Sequence, residues 1–246
     1  MASTPAACWV AGADGCRAGW VVVLRSRTAG THLARVVPNF SAVMALPEAP
    51  AVIAVDVPIG LLATPSVGGR TCEVLARQLL GTRKSSVFSA PTRAALAAFR
   101  AGSGYQAVSA ANRGGVATAP GISQQAFGIL RKIDEVDSLL APATQSTVLE
   151  VHPELCFAEA NGGSPIGHSK KKPVGRTQRA TLLEHLGFSS PVRLLGAKFP
   201  TGVKVDDLLD ACIACWTAER VVTSSAIVIP SAPPIDARGL RMELWR

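Results

Sequence analysis

Several carboxylates in this 246-residue chain stand at the ends of otherwise apolar segments, and that placement is what could do chemistry. Asp14 follows the apolar run 8–13 (CWVAGA), and Asp56 lies near the end of 51–57 (AVIAVDV), just before Pro58. Asp207 and Asp210 open the run 205–223 (VDDLLDACIACWTAERVVT) and, at i and i+3, share a helical face. Leu208, Leu209, Cys212, Ile213, Cys215, Trp216 and Val221 cover nearly the whole circumference of that helix, which predicts burial. Asp206 and Asp207 suit the positive end of the helix dipole. Asp210 lies a full turn in, beside Ala211 and Cys212, where a carboxylate without a partner is costly. The usual remedies are a cationic side chain or a metal. Glu150 and Glu154 add two more acids around an apolar segment, 147–151 (TVLEV). An all-oxygen cluster of this kind suits Mg²⁺ or Mn²⁺. Two such ions, about 3.5–4 Å apart, activate water and stabilise the leaving oxygen of a phosphodiester.

The elements that must position these acids follow from periodicity. Two short apolar runs flank the break Asp14-Gly15-Cys16-Arg17-Ala18-Gly19, which predicts a hairpin with Asp14 at the carboxyl end of its first strand. From that segment alone Asp14 reads as a turn residue; the downstream acids argue for a ligand. A third strand is expected at 32–38, a short helix at 40–46, and a strand buried on both faces at 51–57. A crossover of this kind makes the fourth strand parallel to an earlier one, commonly the first. Residues 60–146 are rich in small and polar types, with helices expected at 68–80, 93–101, 105–112 and 123–140. That length exceeds a βα connection and predicts a helical insertion within a single domain spanning 1–246. A fifth strand (147–151), a helix through 156–160 with Pro153 at its start, a Gly-rich loop (161–167) and a helix at 175–186 follow. The long helix 205–223, a Pro-rich tail and a short strand at 240–245 close the chain.

Apolar residues make up 48% of the chain, which excludes a disordered protein. No run approaches the ~18 apolar residues of a membrane span, and the first residues lack a basic and then apolar leader. The expectation is a cytoplasmic protein without a membrane partner. The formal charge of +8 favours a polyanion, nucleic acid or nucleotide, as partner. Arg77, Arg83, Lys84 and Arg93 form one basic group, and Lys170–Lys172 with Arg176 and Arg179 form another. Aromatic residues are 5%, too few for extended base stacking. Cys212-Ile-Ala-Cys215 lacks the second ligand pair of a zinc site and reads as core packing. The sequence carries no signal of oligomeric state.

The strand order, meander, crossover, insertion and acidic helix resemble the ribonuclease H-like fold: a mixed five-stranded α/β sheet, three strands antiparallel and the rest parallel, flanked by helices. Asp14-Gly15 resembles that fold's first catalytic position, Asp56 its second, and Asp207-Leu-Leu-Asp210-Ala the D-x-x-D-A helix of RuvC-like resolvases. More closely, GADGCRAGWVVV, AVDVPIGL, CEVLARQLLGTRKSSVFSAP, EVHPELCF, SKKKPVGRTQR and DDLLDACIACWTAER together resemble the family called Domain of Unknown Function 429, regarded as predicted nucleases. The resemblance implies a metal-dependent nuclease. Asp14, Asp56, Glu154, Asp207 and Asp210 would be catalytic; Asp14, Asp56, Glu150, Asp207 and Asp210 would hold Mg²⁺ or Mn²⁺. Arg17, Arg77, Arg83, Lys84, Lys170, Lys171 and Arg179 would bind substrate. Two alternatives share the fold. One is an actin-like, ATP-binding phosphotransferase or phosphohydrolase, although no second copy of the Asp14 region is present. The other is a nucleic-acid-binding protein whose acids form structural ion pairs.

Overall fold

Valine-rich alternation at the start of the chain produces a long hairpin, and the other strands build outward from it. The computed structural model describes residues 9–116, 118–196 and 198–246. Cys8, the first residue of the expected apolar run, lies outside them. Strands β1 (Trp9–Cys16) and β2 (Gly19–Ser26) pair antiparallel from Trp9↔Ser26 to Cys16↔Gly19. The turn is therefore the dipeptide Arg17-Ala18, not the six-residue break expected from the Asp and Gly residues. Asp14 sits within the ladder opposite Val21. Pairing the backbone groups of Asp14, Gly15 and Cys16 outweighs their weak strand propensity.

Strand β3 (His32–Val37) extends the meander antiparallel to β2. Helix α1 (Phe40–Met44) is capped by Asn39, whose side chain accepts from the Ala42 N–H. Strand β4 (Ile53–Val55) returns parallel to β1, with Ala11↔Ile53 and Ala13↔Val55 in register. Helices α2 (Thr71–Leu80), α3 (Arg93–Arg100), α4 (Tyr105–Arg113), α5 (Gln124–Gly128) and α6 (Leu130–Leu139) come next. The expected 123–140 helix is divided at Ile129, just after Gly128, a residue that weakens a helix interior. Strand β5 (Val148–Glu150) then pairs parallel with β4. The sheet order is β3-β2-β1-β4-β5, mixed, in an α/β fold. Helices α7 (Pro153–Ala160), α8 (Pro173–His185) and α9 (Val205–Val222) complete it. The strand expected at 240–245 contracts to Leu244–Trp245.

The chain divides into two compact units. One contains residues 9–57, 146–227 and 245–246, and so the whole five-stranded sheet with α1 and α7–α9. The other contains residues 58–145 and 228–244, with α2–α6. In this second unit Arg93 pairs with Asp137 and Asp236, and Arg70 pairs with Glu73 at 2.7 Å, both side chains buried. Among the described residues no helix is long and apolar enough to cross a membrane.

Within the sheet unit, α9 lies directly on β1. Val10 and Gly12 alternate onto the face that α9 covers, and Ala211, Ala214, Cys215 and Ala218 are the small residues that let it approach. A Cβ on Gly12 would collide with the backbone of Ala211, Ala214 and Cys215. Cys215 donates its thiol to the Val10 carbonyl at 3.7 Å. Burial pushes the Cys212 and Cys215 thiols above their ordinary range, so both act as core residues, as the lone C-x-x-C spacing implied.

Candidate functional site

Alternation along β1 places Asp14 two residues beyond Gly12, hence on the face that α9 covers. The Asp56 N–H donates to the Ala13 carbonyl at 3.2 Å, extending the parallel ladder one residue beyond β4. Asp14 and Asp56 therefore stand side by side at the carboxyl ends of adjacent parallel strands, where open α/β sheets build sites. From above, α9 contributes Asp210, which is 2% exposed. Asp14 is buried and Asp56 keeps some solvent contact.

These three carboxyls share one electrostatic environment. Burial, then the Asp210 and Asp56 charges, push the Asp14 carboxyl well above the ordinary carboxylate range. Burial pushes Asp56 up to about 7; Lys170 opposes the shift, while Asp210, Glu150 and Glu154 add to it. Asp210 is raised by burial and pulled back by Lys170, its ion-pair partner. Burial works against the Lys170 charge, yet Asp210, Asp14 and Asp56 win and hold its ammonium above its ordinary range. One cation thus stands among three acids. That is less positive charge than the three carboxyls would carry as negative charge if all ionised. Asp210 Oδ1 is moreover buried with no hydrogen-bond partner.

The donors are therefore all oxygen, as a hard cation requires. Among the described residues, however, no three acidic, histidine or cysteine side chains form a ready-made metal set. Lys170, paired with Asp210 and interacting electrostatically with Asp14 and Asp56, already supplies one positive charge there. The sequence had offered two remedies for a buried Asp210, a cationic partner or a metal, and the structure supplies the first.

The remaining candidates are distributed otherwise. Glu150 pairs with Val55 and so shares the row of Ala13 and Val55, on the opposite side of the pleat from Asp14 and Asp56. Asp207 accepts the Lys204 N–H at 2.8 Å, capping α9, and burial raises its carboxyl. Glu154 receives Arg179 Nη2 at 2.7 Å on both carboxylate oxygens. Arg179 is completely buried, stacks 5.4 Å from the Phe157 ring, and donates Nη1 to the His168 and Gly175 carbonyls at 2.9 and 2.8 Å. It ties α7 and α8 to the segment that carries Lys170. Of the other cations in the sheet unit, Arg17 and Lys171 are exposed. In the second unit Arg77 donates to the Val87 and Gly68 carbonyls and to Ser89, Arg83 is half-buried, and Lys84 is exposed.

Two features escaped the sequence reading. The pairing of Lys170 with Asp210 spans forty positions and has no periodic signature. Gly12 did leave a signal: Ala-Gly-Ala inside a strand of bulky neighbours marks a close approach of another backbone.

The fold and site define an α/β protein whose mixed sheet brings two acids together at the ends of its central parallel strands. The chain belongs to the family described as Protein of unknown function (DUF429), whose model matches residues 12–235. No curated protein matches it. No solved structure matches it.

Proposed function

We propose that this protein is a metal-dependent phosphodiester hydrolase acting on nucleic acid, with Asp14, Asp56 and Asp210 as the carboxylates that hold Mg²⁺ or Mn²⁺. The observation that carries the reading is that Asp14 and Asp56 end adjacent parallel strands, with Asp210 of α9 near enough to raise both carboxyls and Lys170 the cation paired with it. The mixed five-stranded sheet, an antiparallel meander continued by parallel strands, is what the ribonuclease H-like resemblance implies, which supports the fold half of the argument. When bound, divalent cations supply activation of water and stabilisation of the departing oxygen. The chain's own part is to orient the ligands: the β1/β4 ladder fixes Asp14 beside Asp56, and packing of α9 on Gly12 fixes the height of Asp210. Exposed Arg17 and Lys171 supply positive charge for a phosphate backbone.

The test is a panel of linear and branched DNA and RNA incubated with Mg²⁺ or Mn²⁺. Cleavage of at least one substrate, abolished by EDTA, is expected. No cleavage of any substrate with either metal would remove the assignment. A second reading, a nucleic-acid-binding protein whose acids form a structural ion network, draws on the Lys170–Asp210 pair. Salt-sensitive binding without cleavage would favour it.

A further inference from the structure

The residue that decides whether a cation can enter this site is Lys170. We propose that its ammonium is a resident counter-cation, seated among the acids in the metal-free protein, and that divalent-cation binding requires it to withdraw. The inference rests on the metal-site reading above, and deepens it by naming what the metal competes with.

Three observations carry it. Lys170 pairs with Asp210 Oδ2, so it lies against the carboxylate that closes the cluster from above. The second oxygen of that carboxylate, Oδ1, is buried without a partner on a residue only 2% exposed, so one ammonium does not satisfy the site. The segment bearing Lys170 is built rather than incidental. Arg179, itself locked onto Glu154, donates to the His168 carbonyl, and the absence of a side chain at Gly175 lets the α8 backbone press against the Ser169 carbonyl. Yet the Lys170 side chain keeps 30% of its surface in solvent. Its aliphatic stem is long and flexible, so the head can withdraw by rotamer change while the backbone stays anchored.

An ammonium and a divalent cation cannot share this space cheaply, because like charges a few ångströms apart repel strongly in a partly buried site. Neutralising Lys170 should therefore strengthen metal binding, by about tenfold or more. A lysine that only contacted phosphate, away from the acids, would have no such effect, and one fixed as a structural partner would not change its accessibility when metal binds.

Two measurements test this. Mn²⁺ titration by calorimetry is expected to show tighter binding to Lys170→Met than to wild type, and no gain for Lys170→Arg, which keeps the charge and the folded network. In the wild-type protein, limiting acetic anhydride followed by mass spectrometry is expected to modify Lys170 slowly without metal. Saturating Mg²⁺ should accelerate that modification several-fold, with exposed Lys171 and Lys172 as unchanged internal controls. Equal or weaker Mn²⁺ binding by Lys170→Met, or a Lys170 modification rate indifferent to Mg²⁺ in a protein that binds it, would overturn the inference alone. Absence of Mn²⁺ binding in wild type and in both variants would overturn the metal-site reading as well.

Discussion

Asn in place of Asp14 is expected to yield a protein that is more stable at pH 8 and at least about a thousandfold less active, a loss equivalent to several kcal/mol of transition-state stabilisation. Burial and the neighbouring Asp210 and Asp56 charges raise the Asp14 carboxyl, so the folded state holds its proton more tightly than the unfolded chain does. Stability from such a group is intact below the ordinary carboxyl value of 3.8 and is lost as pH rises through the folded value. Asp56, raised to about 7, loses its contribution over the same interval up to neutrality. The wild-type protein without metal should therefore unfold at lower urea at pH 8 than at pH 5. Asp14→Asn keeps the shape, removes a buried carboxyl that the fold resists ionising, and should gain on the order of 1 kcal/mol at pH 8. It should also lose any stabilisation by Mn²⁺. Urea titrations at the two pH values, with and without Mn²⁺, read all of this. A variant that is less stable at pH 8, or that still cleaves in a metal-dependent way, would remove Asp14 from the proposed role.

A single methyl group on Gly12 is expected to destabilise the sheet unit by about 3 kcal/mol or more, the upper range for overpacking. The Cβ would collide with backbone atoms of three α9 residues, and backbone cannot rotate away as a side chain can. Relief requires α9 to rise from β1, which pulls Leu208, Ile213 and Cys212 from a core in which each is fully buried. The same displacement would lift Asp210 away from Asp14 and Asp56, so metal affinity should fall even where the variant folds. A large fraction of a typical domain's stability is at stake. A urea midpoint equal to wild type for Gly12→Ala would show that α9 does not bear on β1 as described.

Much of the fold was legible because the strands are short apolar runs and the helices carry a 3.6-residue pattern. The β1–β2 meander, the parallel β4, β5 and the buried α9 fall where composition and periodicity put them. The hairpin turn did not, since Asp14 and Gly15 are poor strand formers and only the ladder across to Val21 and Trp20 holds them extended. The three acids were legible for a physical reason: a carboxylate that interrupts an apolar element near its end has few structural excuses. Glu154 was less so, because its partner Arg179 is distant in sequence and the pair is a tertiary fact. Lys170 reads from sequence as one of three consecutive lysines. What distinguishes it from Lys171 and Lys172 is where Arg179 and Gly175 fix the backbone, which no local pattern encodes.

The most direct test of the central claim is anomalous diffraction at the manganese edge from crystals grown with Mn²⁺. The account predicts a peak at about 2.1 Å from carboxylate oxygens of Asp14, Asp56 and Asp210, with Lys170 turned outward. A site holding no peak, with Lys170 still paired to Asp210 at saturating Mn²⁺, would contradict it.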